Sequence, residues 1–391
     1  MAALPGAFAA ALADLESQNL RRRRRSVRRL AHDTAEIELD GSRCVDFCSN
    51  DYLGLAAHPR VTEAFVAAAR EHGVGARASH LISGHQGEHQ ALEEELAAFT
   101  GRERALLFST GYMANLGLAT ALVNKGGLVI GDRLNHASLI DAGRIARANL
   151  DWYPHGDAAA LDASLSACAP GPALVLTDGV FSMDGDLAPL PALAAACRRH
   201  DAFLAVDDAH GLGVLGAAGG GSLEHFGLSV REVPALVGTL GKAFGSFGAF
   251  VAGDAGLIET LVQRARTYIY TTALPVAVAA AARAALAVSV AESWRRTRVL
   301  ALARRFRSLA AEAGLPLADS TTPIQPVLLG DADVAVDASR RLLERGFFVA
   351  AIRPPTVPAG SSRLRVALSA AHRDADVEGL VAALADCLPR S

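Results

Sequence analysis

AFLAVDDAHGLG, residues 202–213, decides the fold class of this 391-residue chain. Its first five residues are all apolar, and the run ends in Asp207 and Asp208. An apolar run of this kind is typical of a strand that is buried on both faces of a parallel sheet. Ligands of open α/β sheets bind beyond the carboxyl ends of the strands, so we expect Asp207 to lie at a ligand site.

Similar apolar runs recur between about residue 60 and residue 255, with helical patterns between them. The predicted strands are 105–109, 127–130, 173–177, 202–206, 235–239 and 248–252. Predicted helices between them include 89–99, 112–123 and 189–199. The alternation predicts a mostly parallel sheet covered by helices on both faces. The last two strands are too close for a crossover helix, so we expect one of them to be antiparallel.

The pattern changes after an arginine-rich helix that we predict over 290–315. The runs 323–330, 347–352 and 363–369 read as strands, with a helix near 333–345, which together predict an α+β domain. The alternating segment 35–48 is typical of a hairpin, and we expect it to pack with that domain. We therefore predict three parts: an N-terminal helix and hairpin (1–58), a large domain (59–289) and a small C-terminal domain (290–391).

The composition argues against several classes of protein. The net charge is −3 and aromatic residues make up 5% of the chain. A basic domain with interleaved aromatics is absent, so we predict no nucleic-acid partner despite the arginine run 21–25. Five cysteines without a CxxC pair predict neither a metal site nor a disulfide framework, and they suit the reducing cytoplasm. The most apolar stretch, 273–290, contains Pro275 and Arg283, so we expect a buried helix and no membrane span.

Lysine is almost absent from the chain. Only Lys125 and Lys242 occur, against 36 arginines. Arginine can replace lysine for surface charge but cannot form a Schiff base, so the remaining lysines are informative. Lys125 lies in the turn sequence NKGG, whereas Lys242 lies in GTLGKAFGSFG, where glycines allow a planar ligand to approach the backbone. With Asp207 as the partner of a pyridine nitrogen, this pair predicts pyridoxal 5′-phosphate bound to Lys242.

A phosphate site is predicted at the start of the helix 112–123. Ser109, Thr110 and Gly111 precede that helix, and a helix N-terminus favours an anion. The same residues would equally serve as an ordinary N-cap. Thr239, three residues before Lys242, provides a second hydroxyl.

Six motifs in order resemble the α-oxoamine synthase family of the fold-type I aminotransferase superfamily. They are FCSNDYLGL (47–55), HQALEEELA (89–97), DRLNHASL (132–139), TDGVFSMDGD (177–186), VDDAHGLG (206–213) and TLGKAFG (239–245). AIRPPTVPAG (351–360) and RLRVALSAAH (363–372) are most similar to the biotin-pathway member. The resemblance implies a large domain with a mostly parallel seven-stranded sheet, together with a smaller α+β C-terminal domain.

The resemblance also implies roles for individual residues. Lys242 corresponds to the Schiff-base lysine, Asp207 to the pyridinium partner, His136 to the imidazole that stacks on the cofactor, and His210 to a group near the phenolic oxygen. The implied cofactor contacts also include Gly111, Tyr112, Ser182, Thr239, Thr271 and Thr272. The last two are expected from the partner subunit, which implies a homodimer with shared active sites. The implied substrate contacts are Arg21, Asn50, His136, Thr356 and Arg365, with Arg365 on the amino-acid carboxylate. The resemblance implies no metal.

The implied reaction is the decarboxylative condensation of L-alanine with a pimeloyl thioester. A glycine-using synthase of the same family and a true aminotransferase are the alternative enzymes. A non-catalytic scaffold built on this fold is a further alternative, but such a protein has no reason to keep Lys242. Which arginine of the run 21–25 meets the acyl substrate stays open at this point.

Overall fold

The structure is a computed structural model that describes residues 4–18, 20–168 and 171–388. It contains two compact units. The first comprises Met1–Asn50, Met183–Gly185 and Arg298–Ser391, and the second comprises Asp51–Ser182 and Asp186–Thr297. The domain boundaries that the sequence predicts after residues 58 and 289 stay a prediction.

The strands are β1 (Val27–Arg29), β2 (Glu36–Leu39), β3 (Ser42–Asp46), β4 (Arg104–Phe108), β5 (Leu128–Asp132), β6 (Asn149–Tyr153), β7 (Ala173–Asp178), β8 (Phe203–Asp207), β9 (Ala235–Thr239), β10 (Ala249–Gly253), β11 (Ile324–Gly330), β12 (Phe347–Phe348), β13 (Ala350–Ile352) and β14 (Ser362–Ala367). The α-helices are α1 (Leu4–Ser17), α2 (Pro59–His72), α3 (Gly87–Thr100), α4 (Gly111–Leu122), α5 (Ala137–Ile145), α6 (Ala158–Ala167), α7 (Leu190–Arg199), α8 (Gly221–Phe226), α9 (Ala255–Arg264), α10 (Arg266–Ile269), α11 (Val276–Ala291), α12 (Trp294–Glu312), α13 (Ala332–Glu344) and α14 (Asp374–Cys387). A π-helical turn spans His80–Gly84.

The second unit is built on a seven-stranded sheet with the order β4-β10-β9-β8-β7-β5-β6. Strand β10 is antiparallel to both of its neighbours, and the remaining pairs are parallel. The predicted mostly parallel sheet and its one reversed strand are confirmed. Strand β6 was not predicted, because this half-buried edge strand (NLDWY) is not a continuous apolar run.

Small side chains allow helix α4 to pack closely on the sheet. Ala114, Leu118 and Ala121 are fully buried beside the strand residues Leu106 and Val237. Burying one aliphatic side chain of the size of leucine contributes about 1.5–3 kcal/mol, so this layer accounts for much of the stability of the unit. The carboxyl ends of the strands are thereby held rigidly.

Helix α11 confirms the predicted buried helix, and it packs against α2 and α3. The arginine-rich helix predicted from residue 290 begins at Trp294, since α11 continues to Ala291. Within the described ranges no single helix is long and apolar enough to cross a membrane, and α11 and α12 meet that test only when taken as a bent pair.

The first unit contains a sheet of order β1-β2-β3-β12 and a sheet of order β11-β14-β13. The hairpin predicted over 35–48 is confirmed as β2 and β3, and β3 pairs with β12 from the C-terminal part of the chain. The single strand predicted over 347–352 is wrong. Its residues divide between β12, parallel to β3, and β13, antiparallel to β14, because the two halves pair with different sheets.

A buried histidine makes the stability of the first unit depend on pH. The ring of His372 stacks on Phe47 with a centroid distance of 4.2 Å, and His372 Nδ1 accepts from the Ser369 N–H at 2.9 Å. Burial lowers the pKa of His372 to about 4 from an ordinary 6.5. The neutral ring therefore stabilises the fold above pH 6.5, and this contribution is lost as the pH falls toward 4.

We expect the free energy of unfolding to fall by up to about 3 kcal/mol through His372 between pH 6.5 and pH 4. Urea unfolding at several pH values measures this for the wild type and for His372→Gln. The variant should be less stable at pH 7 and should lose less stability on acidification. Equal losses in the two proteins would contradict the assignment to His372.

Candidate active site

Three neighbouring strands of the second unit end in polar residues. Asp178 is the last residue of β7, Asp207 the last residue of β8, and Thr239 the last residue of β9. Asp178 lies opposite Asp207 in the register of β7 and β8. Since these strands are parallel, the three side chains lie together at the carboxyl end of the sheet, where the sequence predicts a ligand site.

The Asp207 carboxylate is held from two sides. Its Oδ2 accepts from Asn115 Nδ2 at 2.6 Å, and its Oδ1 accepts from the Ala209 N–H at 3.0 Å. Asn115 also donates to Ser138 Oγ at 2.9 Å. These bonds fix the direction in which the carboxylate points. Asn115 was missed at the sequence level, although a buried polar side chain in the apolar helix α4 is a signal that could have identified it.

Burial raises the pKa of the neighbouring Asp178 well above its usual value, and the Asp207 charge adds to the effect. Asp178 Oδ2 accepts from the His136 N–H at 2.7 Å. Asp178 therefore holds its proton more strongly than an ordinary aspartic acid, since a second negative charge beside Asp207 is unfavourable.

His136 begins helix α5 as its N-cap. Its Nδ1 accepts from the Ser138 N–H at 3.2 Å and lies 2.7 Å from Ser138 Oγ. His136 as a whole residue is exposed. Partial burial of its ring lowers the pKa of the imidazole, the negative charge of Asp207 raises that pKa, and the positive charge of Lys242 lowers it. Hydrogen bonds link His136 to Asp207 through Ser138 and Asn115, because Asn115 donates to both Ser138 Oγ and Asp207 Oδ2. Lys242 follows β9, the strand beside β8, so all three residues that the sequence singled out lie at the carboxyl ends of strands of one sheet.

Lys242 lies next to His210. The distance from Lys242 Nζ to His210 Nε2 is 2.9 Å, and the distance from His210 Nδ1 to Tyr52 Oη is 2.6 Å. Tyr52 was also missed at the sequence level, because an aromatic residue in FCSNDYLGL reads as core. Lys242 is half-buried, whereas Tyr52 and His210 are buried.

The helix start predicted for the phosphate is α4. Thr110 is its N-cap, and Thr110 Oγ1 accepts from the Met113 N–H at 3.2 Å. A Cβ added at Gly111 would meet nothing within 4 Å, so the first turn faces open space. Tyr112 is exposed and its hydroxyl donates to Asp141.

Thr239 belongs to the turn that carries Lys242. Thr239 Oγ1 donates to the Gly248 carbonyl at 3.2 Å and accepts from the Gly241 N–H at 3.2 Å. Thr271 is half-buried and Thr272 is exposed. The segment that carries them is tied down by a bridge from Thr272 to Ser79. Their role in the site of the partner subunit stays a prediction, as does that of the half-buried Ser182.

The predicted substrate residues that belong to the first unit form two groups. Arg365 is buried and donates to Asn50 Oδ1 at 3.1 Å. In the N-terminal segment, Arg21 pairs with Glu16 at 3.0 Å, whereas Arg22 donates to Thr356 Oγ1 at 3.1 Å.

The chain is similar to known enzymes over almost its whole length. Residues 42–384 match the model of the family described as aminotransferase class I and II. The 8-amino-7-oxononanoate synthase of Methylococcus capsulatus is 58% identical over 382 residues, which cover 98% of each chain. This chain belongs to the 8-amino-7-oxononanoate synthase family.

Solved structures confirm the fold-type I architecture expected for the 8-amino-7-oxononanoate synthase family. A serine palmitoyltransferase from S. paucimobilis, solved with pyridoxal phosphate and myriocin, superimposes with a TM-score of 0.92 at 30% identity and covers 97% of this chain and 96% of its own. The 8-amino-7-oxononanoate synthase of Francisella tularensis superimposes with a TM-score of 0.77 at 31% identity and covers 88% of this chain and 97% of its own.

The functional groups at the carboxyl end of the sheet fit pyridoxal phosphate, the cofactor of this family. A single amine, Lys242, can bind the aldehyde carbon. The hydrogen-bonded carboxylate of Asp207 suits the ring nitrogen, and the start of α4 suits an anionic phosphate. Every one of these groups lies in the second unit.

A group of histidines lies elsewhere in the second unit. Ring nitrogens of His80, His85 and His89 come within 4.8 Å of one another. His89 Nδ1 accepts from the Gln86 N–H at 3.0 Å, and its Nε2 lies 2.6 Å from the Leu274 carbonyl. Because both nitrogens of His89 are engaged, the group offers at most two open ligands, fewer than the three protein ligands of a catalytic zinc site.

Proposed function

We propose that this protein condenses L-alanine with a pimeloyl thioester, releases CO₂ and the free thiol, and forms 8-amino-7-oxononanoate in biotin biosynthesis. The observation that carries the proposal is that Asp207, Lys242 and His136 lie at or just after the carboxyl ends of strands of one sheet, in a chain 58% identical to an 8-amino-7-oxononanoate synthase. Bound pyridoxal 5′-phosphate supplies an electron sink for a carbanion at the α-carbon of the amino acid.

Lys242 both holds the cofactor and moves the proton. Its amine would hold the cofactor at the aldehyde carbon, and the same Nζ would take the α-proton of the bound alanine. The 2.9 Å contact with His210 Nε2 supports this role, because it keeps Nζ in a fixed position. With the cofactor as electron sink, the α-carbon of alanine would bond to the thioester carbonyl carbon with loss of the thiol, and the resulting β-keto acid would lose its carboxyl group as CO₂.

Asp207 keeps a proton on the ring nitrogen. Its negative charge, held by Asn115 and by the Ala209 N–H, stabilises that proton. His136 would stack on the cofactor ring, a role that its position beside Asp178 and Ser138 at the carboxyl ends of the strands allows.

Arg365 and Asn50 recognise the carboxylate of alanine. Arg365 donates to Asn50 Oδ1, and the planar fork of its guanidinium matches the two oxygens of a carboxylate. Burial of Arg365 strengthens such a pair.

Arg22 is the arginine of the run 21–25 that we assign to the acyl substrate. It lines a cavity of about 550 Å³ in the first unit together with Arg353 and Thr356. Burial and the positive charge of Arg22 lower the pKa of Arg353, whereas Arg21 is neutralised by Glu16. Two guanidinium groups that repel each other favour an anion between them, such as the distal carboxylate of a pimeloyl chain.

We expect Arg22→Gln to raise the KM for the thioester about tenfold and to leave kcat nearly unchanged, because the contact is made equally in the ground state and the transition state. Steady-state kinetics with Arg24→Gln, an arginine of the same run outside the cavity lining, provide the control. Equal effects of the two substitutions would assign the run to general surface charge.

The experiment that tests the function offers alanine, glycine and serine against pimeloyl-, acetyl-, succinyl- and palmitoyl-CoA and follows the release of free thiol. Alanine with the pimeloyl thioester should be the preferred pair. Glycine should react more slowly, since a methyl group contributes about 1–3 kcal/mol of discrimination. A preference for glycine with acetyl- or succinyl-CoA, or for serine with palmitoyl-CoA, would overturn the substrates and retain the fold family.

A homodimer in the cytoplasm completes the proposal. In that dimer Thr271 and Thr272 reach the phosphate in the active site of the partner subunit. Thr272 is exposed, and so are the large side chains of Tyr270, close to it in the chain, and Ile82, close in the chain to the Ser79 that bridges to Thr272. Exposed apolar side chains grouped in this way support an interface at this surface.

A further inference from the structure

Three side chains from separate parts of the second unit form a continuous chain of contacts that ends at the reactive amine. Tyr52 Oη lies 2.6 Å from His210 Nδ1, and His210 Nε2 lies 2.9 Å from Lys242 Nζ. Tyr52 is 0% exposed and His210 is 5% exposed. Water therefore cannot readily replace the phenol as the partner of the imidazole.

The chemistry of Tyr52 and Lys242, at the two ends of this chain of contacts, determines which tautomer of His210 is required. A lysine ammonium group has three donors and no acceptor, so His210 Nε2 must accept whenever Lys242 is protonated. The neutral imidazole then carries its proton on Nδ1, where the Tyr52 oxygen can accept it. The opposite tautomer would place an N–H group against the ammonium.

We propose that Tyr52 is a positioning residue that holds His210 in the tautomer whose Nε2 lone pair faces Lys242. Tyr52 thereby favours a proton on Lys242 Nζ when that amine is free. The inference deepens the proposed role of Lys242 as the group that takes the α-proton. It concerns only side chains of the chain itself, so it can be tested without turnover.

Other charged and titratable groups also act on this amine. The charge of Lys242 affects both His136 and Asp178, and Asp207 lies close to the same pair. These three residues stay unchanged in every variant below. A difference between variants therefore reports on Tyr52 and His210.

The two lysines of the chain allow a direct measurement. The full-length protein is freed of cofactor, its fold is checked by circular dichroism, and its competence is checked by the absorbance recovered when cofactor is added back. Limited reductive methylation over a pH series, followed by peptide mass spectrometry, gives the midpoint of amine reactivity for Lys242. Lys125, in its surface turn, is the internal reference in the same sample.

We expect Tyr52→Phe to lower the Lys242 midpoint by about one pH unit and to leave the Lys125 midpoint unchanged, because the variant loses the oxygen that holds the Nδ1 proton. Tyr153→Phe removes a phenol that is equally buried but does not contact His210, and it should change neither midpoint. His210→Phe should lower the Lys242 midpoint by itself. Adding Tyr52→Phe to that variant should then have no further effect.

An unchanged Lys242 midpoint in Tyr52→Phe would overturn the proposal. So would a shift that persists in full in the His210→Phe background, because Tyr52 would then act by another route. If Tyr52→Phe does not fold, ¹⁵N-histidine NMR of the wild-type chain decides the point, with the His210 signal assigned by its loss in His210→Phe. A proton on Nδ1 supports the proposal, and a proton on Nε2 overturns it. Neither result depends on which substrates the enzyme uses.

Discussion

Lys242→Arg should lose turnover by at least about 10⁴-fold, a loss of about 5.5 kcal/mol of transition-state stabilisation. Arginine keeps the positive charge but is not deprotonated in proteins, so it can neither bind the cofactor covalently nor take the α-proton. Thiol release from the pimeloyl thioester measures the loss. The absorbance of the lysine-bound cofactor should disappear in the same variant.

The other lysine provides the matched control for this result. Lys125→Arg should retain the activity and the absorbance of the wild type, because Lys125 lies in the turn between α4 and β5. Borohydride reduction and peptide mapping should place the pyridoxyl label on Lys242 in both the wild type and Lys125→Arg. A label on Lys125, or the absence of any label, would show that the cofactor is bound differently.

Asp207→Asn should lower turnover by at least about 100-fold, or about 2.7 kcal/mol. The amide has nearly the same shape as the carboxylate but no charge, so it no longer stabilises a proton on the ring nitrogen. Asparagine keeps an oxygen for one of the two donors, Asn115 Nδ2 or the Ala209 N–H, and turns its NH₂ toward the other, so we expect a modest loss of stability and a retained fold. Steady-state rates, thermal unfolding and the fraction of bound cofactor measure the three effects separately.

Asp201→Asn is the control for this substitution. Asp201 is an exposed residue in a left-handed turn with φ of 51°, a conformation that asparagine also adopts readily. It should behave like the wild type. Near-normal activity in a folded, cofactor-loaded Asp207→Asn variant would mean that another group, such as the adjacent Asp208, pairs with the ring nitrogen.

The central strands of the large sheet could be predicted from local sequence because one physical cause dominates their composition. A strand covered on both faces must be apolar throughout, which made β7, β8 and β9 visible. The missed strand β6 lies at the sheet edge, where water reaches part of the strand and the apolar run is broken. The division of 347–352 into β12 and β13 depends on two different pairing partners, which no local pattern encodes.

The sequence by itself was enough to predict the reactive groups, and the tertiary structure decided which side chains contact them. Lys242 is one of only two lysines, and Asp207 ends an apolar strand, so chemistry and local pattern were sufficient for both. Tyr52 and His210 are 158 residues apart, and Asn50 and Arg365 are 315 residues apart. Closing the long stretches of chain between such residues costs conformational entropy. Packing of the whole unit recovers that cost, so these contacts form only in the complete fold.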